Sequence, residues 1–130
     1  MMKAGKILII DDEPLTCELI GRVLKLQGYP SAAVTDSKRA LEVALAERPA
    51  LILLDYHLGA GHGLEVLQTL RANASTRAIP VILTSGLDRH QEAADAGADA
   101  FLLKPFDWQE LTHIVKQVLS THPATHSEDA

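Results

Sequence analysis

The sequence predicts a single α/β domain: a doubly wound, flavodoxin-like (βα)5 unit on a five-stranded parallel sheet with strand order 2-1-3-4-5. Three observations carry that prediction. Short apolar runs alternate with stretches whose apolar residues recur at helical spacing. The strongest runs show no polar alternation, as expected for strands covered on both faces by crossover helices. Polar residues close four of the five runs at what becomes one edge of the sheet. A chain of 130 residues buries enough surface for one core without a disulfide or metal staple.

The first run, Ile7 to Ile10, ends in Asp11-Asp12-Glu13. Pro14 then takes a first-turn position that tolerates proline, because an N–H there has no helical partner. Leu19, Ile20, Val23 and Leu24 share one face of the first helix, which Gly28 closes. A weaker strand at Ser31 to Val34 precedes Ser37 as an N-cap and a helix bearing Leu41, Ala44 and Leu45, stopped by Pro49. The third strand, Leu51-Ile52-Leu53-Leu54, terminates in Asp55. A glycine-rich loop, Tyr56 to Gly63, leads to a helix using Leu64, Leu67 and Leu70. The fourth unit is Ile79 to Leu83, closed by Thr84-Ser85-Gly86, with a short helix from Arg89 to Ala96 that Gly97 terminates. Ala100 to Leu103 is the last strand. Lys104-Pro105-Phe106 follows, and Asp107 and Glu110 form a capping pair ahead of Leu111, Ile114, Val115 and Val118. Periodicity is lost from about Ser120, which sets the domain at residues 1–120 and a frayed polar tail at 121–130.

Composition excludes several function classes. No apolar run approaches the roughly 20 residues that span a bilayer, so no membrane insertion is expected. MMKAGK and the short apolar run behind it lack the hydrophobic region and cleavage site of a signal peptide, which predicts a cytoplasmic protein. Cys17 is the only cysteine, so neither an intrachain disulfide nor a thiolate cluster can form. Twelve basic against seventeen acidic residues give a net charge of -5 with no basic block, which argues against direct nucleic-acid binding.

Doubly wound sheets place ligands beyond the carboxyl ends of their strands, where the strand order reverses. At those ends lie Asp11 and Asp12, Asp55, Thr84 and Ser85, and Lys104. The first and third strands are neighbours in the expected order, about 4.8 Å apart, so Asp11, Asp12 and Asp55 crowd like charges into one place. A divalent cation and the Lys104 ammonium are the two remedies. An oxygen-only donor set with room for waters suits Mg²⁺. A carboxylate beside Mg²⁺, with a hydroxyl and a lysine converging on it, is equipped to attack phosphorus, giving an aspartyl phosphate.

The segments ILIIDDEP, LILLDYHL, VILTSG and FLLKPF, in that order, resemble the receiver (response-regulator) domain of bacterial two-component signalling over roughly residues 6 to 120. The resemblance implies that Asp55 is the phosphoacceptor and that Asp11, Asp12, Asp55 and the backbone carbonyl of His57 hold Mg²⁺. It implies Thr84 as switch hydroxyl, Lys104 as phosphate partner, Phe101 as aromatic rotamer switch and a cis bond at Lys104-Pro105. The implied partners are a sensor histidine kinase or histidine phosphotransfer protein and a downstream protein target, with homodimerisation open. With no output domain inside 130 residues, action through a partner is expected. Two departures stand out: Gly59 replaces the proline common in the loop after the phosphoacceptor, predicting a looser segment, and the stretch from Thr84 to Lys104 is short, predicting a reduced fourth helix.

Two other readings stay open at this point. A Mg²⁺-dependent phosphohydrolase on a similar sheet also passes through an aspartyl phosphate, but its nucleophile stands after the first strand in a D-x-D arrangement, whereas Asp11 and Asp12 are adjacent. An interaction module without phosphorylation is the other. His57 and His62 fall on the loop, and His90, His113, His122 and His126 are scattered, so solvated histidines are expected instead of a transition-metal site; His57, two residues past Asp55, is placed to shield or orient attacking water. Cys17 is read as an inert small residue, and Trp108 as a packing anchor or part of a partner surface.

Overall fold

A computed structural model describes residues 5–59 and 61–122. Five strands, β1 (Ile7–Ile10), β2 (Ser31–Val34), β3 (Leu51–Asp55), β4 (Val81–Ser85) and β5 (Ala100–Leu103), form one sheet in the order β2-β1-β3-β4-β5. Every neighbouring pair is parallel. Five helices, α1 (Pro14–Leu26), α2 (Ala40–Glu47), α3 (Gly63–Ala72), α4 (His90–Asp95) and α5 (Trp108–Thr121), provide the crossovers. This is the doubly wound (βα)5 architecture read from the apolar runs. The order reverses between β1 and β3, and the crevice opens there.

Side-chain alternation divides the core in two. Leu8, Ile10, Ile52, Leu54, Val81 and Leu83 face one way and pack with Ala40 and Ala44 of α2, Leu67 and Leu70 of α3 and Ala93 of α4. Ile7, Ile9, Leu51, Leu53, Ile82 and Leu102 face the other way, against Ile20 and Leu24 of α1 and Leu111, Val115 and Val118 of α5. Burial on both faces explains why β1 and β3 read as unbroken apolar runs. β2, an edge strand with only Val34 buried, reads weakly for the same reason.

The structure corrects several local expectations. Leu19 points to solvent at 54% exposure, and Cys17 takes the inward position instead. The cap before α2 is Asp36, whose side chain accepts from the Lys38 N–H at the start of a 3₁₀ turn, Ser37–Arg39. Ser37 lies inside that turn. β4 begins at Val81 and not Ile79, because Pro80 has no N–H to give the ladder, and it extends through Thr84 and Ser85. The segment after Asp55 is not an open loop: His57–Leu58 and Gly61–His62 pair as a short antiparallel ladder. Asp107 and Glu110 close α5 with a reciprocal capping box, a device contributing about 1 kcal/mol. α5 continues to Thr121, one residue past the expected boundary. The tail residues 123–130, and with them His126, lie outside the described residues.

Candidate functional site

Register decides which groups meet. Ile10 is abreast of Leu54, and Asp55 is abreast of Thr84. One further step along β1 brings Asp11 level with Asp55. Asp11, Asp55, Thr84 and Lys104 continue the alternation of Ile9, Leu53, Ile82 and Leu102, so all four side chains emerge on the α1/α5 face at the carboxyl edge of the sheet.

There the side chains converge. Carboxylate oxygens of Asp11, Asp12 and Asp55 lie within 4.8 Å of one another. Asp11 and Asp55 are buried and Asp12 is exposed, so the cluster has a protein side and a solvent side. Lys104 Nζ reaches Asp55 Oδ1 at 3.2 Å and Asp11 Oδ2 at 3.4 Å. The Thr84 hydroxyl donates to Asp55 Oδ1 at 3.3 Å. Asp11 Oδ1 also accepts from the Glu13 N–H at 3.0 Å, which fixes its carboxylate at the foot of α1. The Lys104-Pro105 bond is cis, as the resemblance implied.

Electrostatics follow from this crowding. Burial pushes the Asp55 carboxyl above its usual value; Lys104 draws it down and Asp11 raises it again, and the net direction is up. Burial lowers the Lys104 ammonium, but the attraction of Asp55 and Asp11 outweighs this and holds it above its ordinary value. One ammonium therefore serves two buried carboxylates, and a third stands beside them. The donor set is hard, all oxygen and open on one side, which fits Mg²⁺ better than any softer ion. The His57 carbonyl, the fourth expected ligand, belongs to the short strand immediately after Tyr56.

Phe101 is placed differently. It is half-buried against the core that packs on α2, α3 and α4, the face opposite Asp55, with its ring 5.0 Å from that of His90. Trp108 is 54% exposed and forms one wall of an open groove of about 760 Å³ between α1 and α5, together with Ile20, Val23, Lys104, Phe106 and Leu111. Cys17 is buried, its Sγ–H donating to the Asp11 carbonyl at 3.4 Å; burial first, then Asp11 and Asp12, push its thiol up to about 11, so it is inert.

The glycines of the loop have distinct tasks. Gly59 takes φ +60, a conformation closed to proline, so its presence sets a different turn and not merely a looser one. Gly63, read in sequence only as the end of a glycine-rich loop, is the first residue of α3 and lies directly against the backbone of Asp55; a Cβ there would collide with the Asp55 carbonyl oxygen. Its N–H donates to the Tyr56 carbonyl at 2.6 Å. Also unforeseen is a cluster in which Arg89 stacks on Tyr56 and Glu92 binds both. Tyr56 is 36 residues from Glu92, and the three carry no motif.

Comparison with known proteins agrees with this arrangement. Residues 7–116 match the response regulator receiver domain. The chain is 37% identical over 122 residues to the transcriptional regulatory protein HprR of Escherichia coli, covering 94% of this chain and 55% of that one. It is 33% identical over 119 residues to sporulation initiation phosphotransferase F of Bacillus subtilis, covering 91% and 96%. It thus spans about half the length of the transcriptional regulator and nearly all of the phosphotransferase. Among solved structures, the receiver domain of sensor histidine kinase PA1611 from Pseudomonas aeruginosa superimposes with a TM-score of 0.81 at 28% identity, covering 90% of this chain and 98% of that one; it carries a magnesium ion in its active-site cleft.

Proposed function

Because the chain belongs to the response regulator receiver domain family, we propose that it is a phosphoacceptor switch of a two-component phosphorelay, with Asp55 as the residue that takes the phosphoryl group. The observation that supports this best is the single buried carboxylate at position 55 with an ammonium and a hydroxyl on the same oxygen and two further carboxylates within 4.8 Å.

In the proposed reaction an Asp55 oxygen attacks the phosphorus of a phosphohistidine on a sensor kinase or phosphotransfer protein. The O–P bond forms as the P–N bond breaks, and the imidazole leaves. Charge then spreads over the phosphoryl oxygens, and the groups already aimed at Asp55 Oδ1 are those that meet it. Lys104 supplies a fixed positive charge and Thr84 a hydroxyl donor. Asp11, Asp12, Asp55 and the His57 carbonyl are the residues that would hold Mg²⁺, which when bound offsets the combined negative charge of carboxylate and phosphoryl group. Dephosphorylation returns the carboxylate when water attacks phosphorus and releases inorganic phosphate. His57, exposed and two residues past Asp55, is positioned to affect that step.

Signalling in this reading runs from Thr84, drawn toward the phosphoryl group, to Phe101 and the surface of α4 and β5, where a downstream protein or a second copy of the chain reads the state. α4 has six residues, the reduced fourth helix expected from the short spacing. A cytoplasmic setting fits these partners. Among the described residues no helix is long and apolar enough to cross a membrane, and the net charge of -5 gives no support to direct nucleic-acid contact.

Incubation with Mg²⁺ and acetyl phosphate, read by intact mass, tests the proposal. One added phosphoryl group that requires Mg²⁺ and disappears in Asp55→Asn is the expected result. No adduct on the native protein, or an undiminished one in the variant, contradicts it; steady turnover of a generic phosphate ester would favour a phosphohydrolase instead.

A further inference from the structure

We infer that Tyr56, Arg89 and Glu92 form a latch through which the state of the Asp55 pocket sets the position of α4; the inference rests on the phosphoacceptor reading above. Tyr56 follows Asp55 directly, and its backbone is gripped on both sides. Its N–H donates to the Thr84 carbonyl at 2.8 Å, and its own carbonyl accepts from Gly63. The ring passes to the opposite face of the sheet and is buried there. Arg89 lies over it, with the guanidinium carbon 4.0 Å from the ring centroid. The Tyr56 hydroxyl donates to Glu92 Oε2 at 3.2 Å, and Arg89 Nη1 donates to Glu92 Oε1 at 3.2 Å. A closed cycle of three side chains therefore joins the residue after the phosphoacceptor to the residue before α4 and to its first turn.

The other ties to that end of α4 are local or exposed: Asp88 accepts from the His90 N–H at 3.2 Å, and the exposed His90 ring rests on Phe101. Six residues do not sustain a helix alone. Arg89, at the N-cap, provides no side-chain capping bond, and Ala93 is the one buried residue of the helix. Alanine burial contributes little apolar area, so the polar contacts to Tyr56 are the partly buried tie that fixes the first turn against the sheet. The latch is also unsaturated: Arg89 Nε is buried and has no hydrogen-bond partner among the described residues. An arrangement that satisfies that donor competes with the one observed. Thr84 connects the two ends, because its hydroxyl binds Asp55 while its carbonyl anchors the Tyr56 N–H. A displacement of Thr84 toward a phosphoryl group moves the anchor of the latch.

Hydrogen exchange with and without Mg²⁺ and beryllofluoride tests this in the wild-type protein, Arg89→Leu and Tyr56→Phe. The second variant keeps the ring and its stacked cation and removes only the bond to Glu92, so it remains informative if the first folds poorly. In the free protein, amides of residues 90–96 are expected to exchange about tenfold faster in Arg89→Leu, and less than that in Tyr56→Phe, with β1 and β3 unchanged. Adduct formation alters exchange of the same segment in the wild type, and Arg89→Leu abolishes that difference while still taking the adduct with the same Mg²⁺ requirement. A purely structural tie would leave the adduct-induced difference in place. Exchange of 90–96 that is equal in all three free proteins, or an adduct-induced change that persists in Arg89→Leu, overturns the inference while the phosphoacceptor reading stands. Failure of the wild type to take the adduct, read by mass beforehand, removes that reading and the inference with it.

Discussion

The two ends of the same sheet carry polar clusters built on opposite plans. At the amino-terminal edge, Arg71 donates five hydrogen bonds: two to the Gly97 carbonyl, one each to the carbonyls of Arg77 and Ile79, and one to Asp99 Oδ2 at 2.9 Å. Asp99 accepts in turn from the Val81 N–H and lies 3.2 Å from His122 on the far side. Every charge there has a partner. At the carboxyl-terminal edge, two buried carboxylates share one ammonium with a third beside them, and the hydroxyl of Thr84 is aimed at an oxygen that Lys104 already contacts. The first cluster is saturated and closes β4, β5 and the end of α3 into one unit. The second keeps excess negative charge at the mouth of the crevice, a cost to the fold that a bound cation would relieve.

Substitutions at the two ends should therefore differ in sign as well as size. Arg71→Met is expected to be the most damaging, lowering stability by about 2 kcal/mol in denaturant unfolding, because it removes five hydrogen bonds at once, the one to the Ile79 carbonyl partly buried and the others open to water. A loss under about 0.5 kcal/mol would show that the network is ornamental. Lys104→Met should cost about 1–2 kcal/mol in Mg²⁺-free buffer, since it leaves Asp11 and Asp55 without a counter-charge. Added Mg²⁺ should then raise the melting temperature more in that variant than in the wild type; an equal response would break the comparison. Its pH course has a definite sign. The raised Lys104 value means the contribution is complete below about 10.5, the ordinary value, and fades as pH climbs through the folded one.

Asp55→Asn should act in the reverse direction, stabilising the protein by about 1 kcal/mol near pH 7. The folded state holds the Asp55 proton more tightly than the unfolded chain does. The neutral form's advantage is complete below 3.8 and is lost as pH rises through the elevated folded value, and asparagine retains it throughout. Unfolding curves for the two proteins should converge on acidification. The smallest effect concerns Cys17. With burial, and then Asp11 and Asp12, pushing the thiol up to about 11, alkylation in the native state should stay slow at pH 8 and rise only as the chain unfolds; fast labelling would contradict the burial of the thiol.

Much of the carboxyl-terminal edge was legible because its groups sit at the ends of strongly marked strands. Leu51 to Leu54 is apolar without interruption, so Asp55 is conspicuous, and the parallel order then places Asp11 beside it. The amino-terminal network gave no such signal. Arg71 and Asp99 are 28 residues apart, and their pairing depends on how α3 and the turn before β5 pack. Tyr56 and Glu92 are 36 apart and hidden for the same reason. Local errors arose where two signals competed. Pro80 interrupts an apolar run that begins at Ile79, Asp36 and Ser37 both make good caps, and Leu19 has the right spacing but the wrong side of α1. Gly63 was misread because a close approach to another backbone leaves no trace in local pattern.

Calorimetric titration of Mg²⁺ into the wild-type protein, Asp12→Asn and Asp55→Asn tests most directly whether the crowded carboxylates of the carboxyl-terminal edge bind a divalent cation. One saturable site in the wild type, weakened about tenfold or more in each variant, is the predicted outcome. No binding by the wild type, or binding that neither substitution alters, would contradict it.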